Sequence, residues 1–176
     1  INDINLSAIG EKEYGAGKGY QNFAFIRMDT GLASGIILKN RLYQGENKAA
    51  GEIGFARVPV VKNGKVEYVQ AESIMTVPML CEDIGKRLAD HPNDLFYSVT
   101  CGDVQNVTVE NIVKVLGTNS YVNECVREFS VRFGYLLANM VATLDVMLVV
   151  IGGDIVKFDN YFFKPVRNVL AETLPF

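Results

Sequence analysis

The run Val146-Met147-Leu148-Val149-Val150-Ile151, closed by Gly152-Gly153-Asp154, constrains the fold more than any other stretch of this chain. Six consecutive apolar side chains, four of them β-branched, do not suit a half-solvated surface. They read as a strand buried on both faces of a sheet, the pattern of a sheet covered by helices. The residues just before it supply such a helix. Val122, Cys125, Val126, Phe129, Phe133, Leu136, Leu137, Met140 and Val141 keep helical spacing, while Glu124, Arg127, Glu128 and Arg132 fall largely off that stripe. The spacing predicts a helix over 121–144, capped by Asn119 or Ser120, with Gly134 marking a close crossing by another element. A Gly-Gly turn and a last helix follow the strand, with Pro165 tolerated early in that helix. The stretch from Phe133 to Gly153 is also the most membrane-like, but Asn139, Asp145 and the glycine pair interrupt it. A spanning helix needs roughly 20 continuous apolar residues, so no membrane partner is expected.

Earlier segments fill in the sheet. Residues 2–15 offer Asn2 or Asp3 as a cap, an apolar stripe at Leu6 and Ile9, and Gly15 as a stop, which predicts a first helix. Residues 23–29 and 35–40 read as two strands joined by the tight turn Thr30-Gly31-Leu32-Ala33-Ser34. Residues 58–61 and 65–70 flank Lys62-Asn63-Gly64, and Asn-Gly between β-rich runs is a strong hairpin signal. A helical pattern over 73–90 breaks at Asp90-His91-Pro92-Asn93-Asp94. There are no repeats and no linker, and 176 residues with 49% hydrophobic content can bury a real core. The expectation is one α/β domain spanning 1–176, a mixed sheet flanked by helices.

Charge and cysteine usage narrow the function classes. A net charge of -3 leaves no basic footprint for nucleic acid, so any DNA contact would come through a segment outside this sequence. Cys81, Cys101 and Cys125 are odd in number, widely spaced and without a Cys-x-x-Cys pair. That usage fits reduced thiols in a cytoplasmic protein rather than a disulfide framework or a zinc site. In that compartment the acceptor patterns Asn5-Leu6-Ser7 and Asn106-Val107-Thr108 are coincidental. The chain opens at Ile1, without Met and within a helix-like pattern, and reads as a fragment or a processed form.

Four places could carry chemistry. Asn2-Asp3 is either an N-cap or a carboxylate acting as base toward a sugar hydroxyl. Met28 to Gly35 is either a hairpin turn or a glycine-rich phosphate cradle built around Thr30 and Gly31. Asp29 opposes phosphate there, by ~1 kcal/mol per unit-charge pair in water and more once desolvated. Glu52 stands among Ala49, Ala50, Gly51 and Gly54; it is either a surface charge or a partly buried carboxylate for which sugar hydroxyls are suitable partners. Gly152-Gly153 is either a plain strand-to-helix turn or a point of close backbone approach to a nucleotide.

Taken in order, these segments resemble the ROK family of repressors, open reading frames and sugar kinases, which has the actin-like, ribonuclease-H-like α/β fold. Asn2 to Glu11 looks like its Asn-Asp-x-Asn-x-x-Ala-x-Gly-Glu helix; Asp29 to Phe55 resembles its glycine-rich strand turn running into Ala-Gly-Glu-Ile-Gly-His; Leu144 to Ile155 is similar to the strand and Gly pair near its adenosine site. The resemblance implies a C-terminal lobe, lacking the N-terminal lobe and any DNA-binding head. It implies sugar contacts at Asn2, Asp3 and Glu52, with Glu72 as the match for a second sugar-contacting Glu. It puts Asp3 at the position of the kinases' catalytic base, and Thr30, Gly31, Gly152 and Gly153 beside any retained nucleotide.

The departures are as informative. The family's zinc-ligating His is Phe55 here, and its Cys-x-Cys-Gly-x-x-Gly-Cys motif is replaced by residues 58–72, which hold no Cys or His. Zinc wants four such ligands, so no metal is expected, and the Asn63-Gly64 hairpin is expected to replace the stiffness it gives. Phe55 either packs beneath that hairpin or stacks on a sugar face. Asp29, Ala33 and Ser34 stand where the family has Gly, Gly and Ala. The reading is a sugar-sensing effector-binding and dimerisation domain of a ROK-type transcriptional regulator, with a monosaccharide as ligand and no cofactor. The alternative is the C-terminal half of an ATP-dependent, glucokinase-like kinase, which would use ATP-Mg with Asp3 as base. A homodimer is expected, with helix 121–144 serving either its face or the core. One lobe holds only half the groups of a cleft between two, so it should be inactive alone.

Overall fold

The structure, a computed structural model, describes residues 2–88, 90 and 94–175. The chain divides into two compact units, Ile1–Ile74 with Asn139–Gly153, and Met75–Ala138 with Asp154–Phe176.

The first unit is built on a four-stranded mixed sheet. Helix α1 (Asp3–Tyr14) is followed by β1 (Phe23–Met28), β2 (Leu32–Leu38), β3 (Arg41–Tyr43), β4 (Arg57–Lys62) and β5 (Lys65–Gln70), and later in the chain comes β6 (Val149–Gly152). The sheet order is β3-β2-β1-β6, with β6 parallel to β1 and the other pairs antiparallel. The turn between β1 and β2 is tighter than expected. Met28 pairs with Leu32, so the turn is Asp29-Thr30-Gly31, and Leu32, Ala33 and Ser34 lie in the strand. The sequence reading also missed β3, which follows β2 through Lys39 and Asn40, both at positive φ.

Helix α1 starts as expected, with the Asn2 side chain accepting from the Asn5 N–H and Asp3 in the first turn, where a carboxylate suits the helix dipole. Its buried face is different. Ile4, Asn5 and Ala8 are buried, Leu6 is exposed and Ile9 half-buried. The cause lies in the sheet, because a Cβ on Gly35 of β2 would sit 2.6 Å from Ala8 Cβ and 2.8 Å from the Ile4 carbonyl oxygen. The helix approaches so closely at Gly35 that the small side chain of Ala8 has to face it. Ile4 and Ala8 join Phe23, Phe25 and Ile37 in this unit's core, with Leu148 and Val150 packed against them.

The apolar run near 150 differs in degree. It forms a strand only over Val149–Gly152, at a sheet edge with β1 as its one neighbour, and all four residues are half-buried rather than covered on both faces. Met147 is 97% exposed.

Strands β4 and β5 pair as a separate ribbon around Asn63 and Gly64, at φ 51° and 72°. Such paired positive values suit Asn-Gly in a two-residue hairpin. Phe55 does not pack beneath it: the ring is 66% exposed. It ends a short 3-10 turn, Ile53–Phe55, whose buried residue is Gly54.

The second unit is helical. It holds α2 (Val77–Leu88), α3 (Leu95–Thr100), α4 (Val109–Val115), the first part of α5 (Ser120–Leu144) and α6 (Asn160–Thr173). The helix expected from 73 begins at Val77, after a 3-10 turn over Ala71–Ser73 in the first unit. Of the expected break at 90–94, residues 91–93 lie outside the described residues. The α5 stripe matches expectation from Val122 to Val141, with Met140 only half-buried. Asn119 is the cap, its Oδ1 accepting from the Val122 N–H at 2.8 Å. Gly134 is the crossing point with α6: a Cβ there would stand 2.9 Å from Val169 Cβ. Pro165 is the sixth residue of α6, past the first turn, so the Tyr161 carbonyl loses its helical partner. Outside this core, Arg87 bridges Asp83 at 2.9 Å and Glu128 at 3.2 Å, fastening α2 to α5. Among the described residues no helix is long and apolar enough to cross a membrane.

Candidate functional site

Residues 32–35 of β2 seat the three segments that carry the candidate acids. Gly35 lies against the Ile4 carbonyl, one residue beyond Asp3, so the N-terminus of α1 rests on this part of the strand. Ser34 takes the next segment. Its N–H and Oγ both donate to the Gly51 carbonyl, at 2.7 and 3.0 Å, and this fixes the residue before Glu52. Leu32 takes the third, donating its N–H to Glu72 Oε2 at 3.0 Å. Asn2, Asp3, Glu52 and Glu72 thus hang from one four-residue stretch of sheet, although up to 70 positions separate them in the chain.

Each acid has its own setting. Asn2 spends its side-chain oxygen on the Asn5 N–H at 3.1 Å, which leaves the amide NH2 to donate outward. Asp3 is exposed and makes no side-chain bond among the described residues. Glu52 is half-buried, at the start of the Ile53–Phe55 turn, and makes no cap bond. Glu72 is committed to the backbone through one oxygen. A Cβ at Gly54 would lie 3.1 Å from that oxygen and 2.6 Å from the Leu32 carbonyl, so only glycine fits between Glu72 and the strand.

The residues flagged for nucleotide also meet. Arg27 pairs with Gly152 across the parallel strands, which brings the end of β6 beside the 29–31 turn. Gly153, at φ 99°, faces Met28 and Asp29: a Cβ there would be 2.6 Å from Asp29 Oδ1. Thr30 is exposed and Gly31 half-buried, with Glu72 Oε2 3.3 Å from where a Gly31 Cβ would stand. A carboxylate thus stands beside each glycine turn, Asp29 at Gly153 and Glu72 at Gly31. The residues here do not fit zinc. Phe55 has no donor atom, and no group of three or more His, Cys, Asp or Glu side chains among the described residues could hold a metal.

Sequence reasoning missed the anchoring role of Ser34 and the burial of Asn5. Ser34 is 1% exposed yet fully hydrogen-bonded, and a hydroxyl within an apolar strand was the signal available. Asn5 is buried beside the cap, and its Oδ1 has no partner among the described residues. The perturbed ionisable groups lie in the helical unit. Burial pushes the Cys81 thiol up to about 11, and the Glu110 carboxylate adds to this. Burial also raises Cys125, against the lowering effect of Arg87. These are features of helix packing rather than of the β2 cluster.

A mixed sheet of this order, with a capped helix on β2 and glycine turns at the ends of β1 and β6, defines one half of an actin-like ATPase-type fold. The chain matches the ROK family over residues 1–175 and belongs to it. Its curated relatives include a glucokinase from Halalkalibacterium halodurans, 23% identical over 173 residues, where the match covers 95% of this chain and 52% of the relative. They also include a xylose repressor from Caldicellulosiruptor bescii, 25% identical over 176 residues and covering 97% of this chain and 43% of that protein. Among solved structures, a ROK family glucokinase from Streptomyces griseus in complex with glucose and AMPPNP superposes with a TM-score of 0.85. It is 25% identical, and the match covers 99% of this chain and 58% of that one. The chain thus spans about half the length of the curated relatives it matches, and both kinases and repressors stand among them.

Proposed function

We propose that this chain is the sugar-sensing, effector-binding and dimerisation domain of a ROK-type transcriptional regulator. The observation that carries the reading is the contrast between residues 32–35 of β2 and the glycine turn just before them. The segments bearing Asn2, Asp3, Glu52 and Glu72 are all anchored on residues 32–35, which supports a site with an amide NH2 and three carboxylates to offer. Hydroxyl-rich ligands are recognised by such convergent donors and acceptors. In the turn, Asp29 stands against Gly153, where its charge disfavours a nucleotide phosphate. A domain that keeps the first and blocks the second can bind a sugar without phosphorylating it. The glucose held by the Streptomyces griseus glucokinase indicates a monosaccharide as the ligand class here.

In this reading the protein works in the cytoplasm as a homodimer and reaches DNA through a segment beyond this sequence. Sugar acts by binding one arrangement of the dimer better than another, since unequal affinity is what shifts such an equilibrium. The test is calorimetric titration of the intact protein with a panel of monosaccharides, with and without ATP-Mg. Saturable heat with one sugar and no ADP release supports the regulator; sugar-dependent ADP release overturns it.

One observation favours a kinase. Asp3 is exposed, has no side-chain partner among the described residues and stands at the head of α1, as a general base toward a sugar hydroxyl would. Under that reading Asp3→Asn abolishes ADP release while sugar binding persists.

A further inference from the structure

A groove of about 430 Å3 runs between α5 and α6 in the helical unit. Val131 and Pro165, both half-buried, lie in it, and the Tyr135 ring lines it from α5 while remaining 54% exposed. On the α6 side it is lined by Lys164, Asn168 and Glu172, all exposed. Their spacing of four residues puts them on one face of the helix. Lys164 and Glu172 are thus about 12 Å apart along the axis, with Asn168 midway. Neither charge has an ion-pair partner among the described residues, and the Asn168 amide makes no hydrogen bond there. Arg127, the other charge in the groove, is taken up by Glu124 through two bonds at 2.7 and 2.6 Å.

The order of the two free charges runs against the helix dipole. A dipole favours an acid near the start and a base in the last turn, whereas α6 has Lys164 near its start and Glu172 in its last turn. Local helix energetics therefore do not account for the arrangement. A second copy of the chain does. An interface about a two-fold axis joins a surface to itself, so it has to carry each group together with its complement. When two α6 helices lie antiparallel with the axis at Asn168, Lys164 of each faces the partner's Glu172. The two Asn168 amides then meet, each with a donor and an acceptor to offer. Tyr135 supplies an aromatic anchor, the kind of side chain that carries much of an interface's energy. From this geometry we infer that the α5–α6 groove is the face through which two copies of this chain dimerise, with Asn168 on the two-fold axis. An unrelated partner does not require charges that complement themselves about one residue; a second copy does. The inference deepens the regulator reading, since it rests on the homodimer proposed there and names the side chains that join it.

The test is sedimentation equilibrium of the intact protein over a dilution series. It compares wild type, Lys164→Glu, Glu172→Lys, the double variant Lys164→Glu/Glu172→Lys, and a control, Lys18→Glu. Lys18 is exposed beyond the end of α1, so its reversal makes the same change in net charge as Lys164→Glu away from the groove. Each single reversal sets two pairs of like charges face to face, so the dimer should weaken at least about tenfold, while the control stays within about threefold of wild type. The double variant exchanges the charges and should recover the wild-type affinity. The two single variants, mixed in equal amounts, should form a heterodimer, because each supplies the charges that the other lacks. An internal role for either residue gives no such recovery between chains. Undiminished dimerisation in both single variants overturns this face and leaves the homodimer standing, and so does the absence of a heterodimer on mixing. A fall in urea stability with the dimer unchanged also overturns it, because another part of the same chain then covers the groove. A wild type that is monomeric throughout the series sinks the face and the homodimer together. Sugar-dependent ADP release sinks the regulator alone and leaves the dimer constants, and the face, in place.

Discussion

Replacing Gly51 by alanine is the sharpest perturbation of the β2 cluster. Gly51 lies at φ 92°, a backbone conformation that costs an L-residue about 1–2 kcal/mol. The added methyl would overlap the Ser34 carbonyl oxygen and stand 2.9 Å from its carbon and 3.1 Å from Ser34 Oγ. A strand carbonyl cannot swing aside as the tip of a side chain can, so the 50–53 segment has to withdraw. Withdrawal stretches the two bonds that Ser34 makes to the Gly51 carbonyl, now 2.7 and 3.0 Å. Ser34 is 1% exposed, so water does not replace them. An unpaired buried donor costs about 1–3 kcal/mol. Strain plus one lost donor gives about 2–5 kcal/mol, a large part of the 5–15 kcal/mol typical of a folded domain. Gly64→Ala is the matched control, also at positive φ (72°) but with nothing within 4 Å of the new methyl, so it carries only the strain. Urea unfolding compares the two, and hydrogen exchange reads the Ser34 amide. If Gly51→Ala is no less stable than Gly64→Ala and Ser34 stays protected, the reasoning about this anchor is wrong. Loss of sugar affinity should accompany the loss of stability, because Glu52 moves with Gly51.

Other expectations test separate parts of the molecule. Gly134→Ala should destabilise by about 1–2 kcal/mol despite alanine's better helix propensity, because the methyl meets Val169 Cβ at 2.9 Å; Val169→Ala in the same chain should recover part of this, read by urea midpoints as a double-mutant cycle. Phe55→Ala should leave stability within about 0.5 kcal/mol, since the ring is exposed; a several-fold loss of sugar affinity in that variant assigns the ring to the ligand, and no loss makes it a plain surface residue. Maleimide at pH 8 should label exposed Cys101 well before Cys81, whose thiol is held near 11 by burial and by Glu110, and Glu110→Gln should speed the Cys81 reaction. Cys81's folded pKa is raised, so its contribution to stability is complete below about 9 and fades as pH climbs through about 11, a decline that urea midpoints against pH would show and Cys81→Ser would remove.

Some of this architecture is settled by residues close together in the chain. Asn63-Gly64 specifies its hairpin because two adjacent residues tolerate the positive φ values that a two-residue turn demands. The α5 stripe and its Asn119 cap are equally local: the stripe repeats every third or fourth residue, and the cap bond reaches three residues on. Gly134 announced a close crossing by its size alone, though not that Val169 makes it. The order of motifs from Asn2 to Gly153 also carried the family, and with it the fold.

Pairing between distant segments was decided only when the chain closed up. Leu6 and Ile9 offered the apolar stripe in the sequence, but the close approach at Gly35 selected the face bearing Ile4 and Ala8. The run before Gly152 had the composition of a covered strand, yet composition does not say how many neighbours a strand will have, and β6 has one. Phe55 could have packed or projected, and the short turn around buried Gly54 left it projecting. The bond from Glu72 to the Leu32 amide depends on the hairpin's return path, which brings the chain back to the start of β2 forty residues on. Nearest-neighbour preferences fix turns and helix faces within a few residues. Which acid meets which amide depends on how the segments pack, and the sequence encodes that packing only through all of its residues at once.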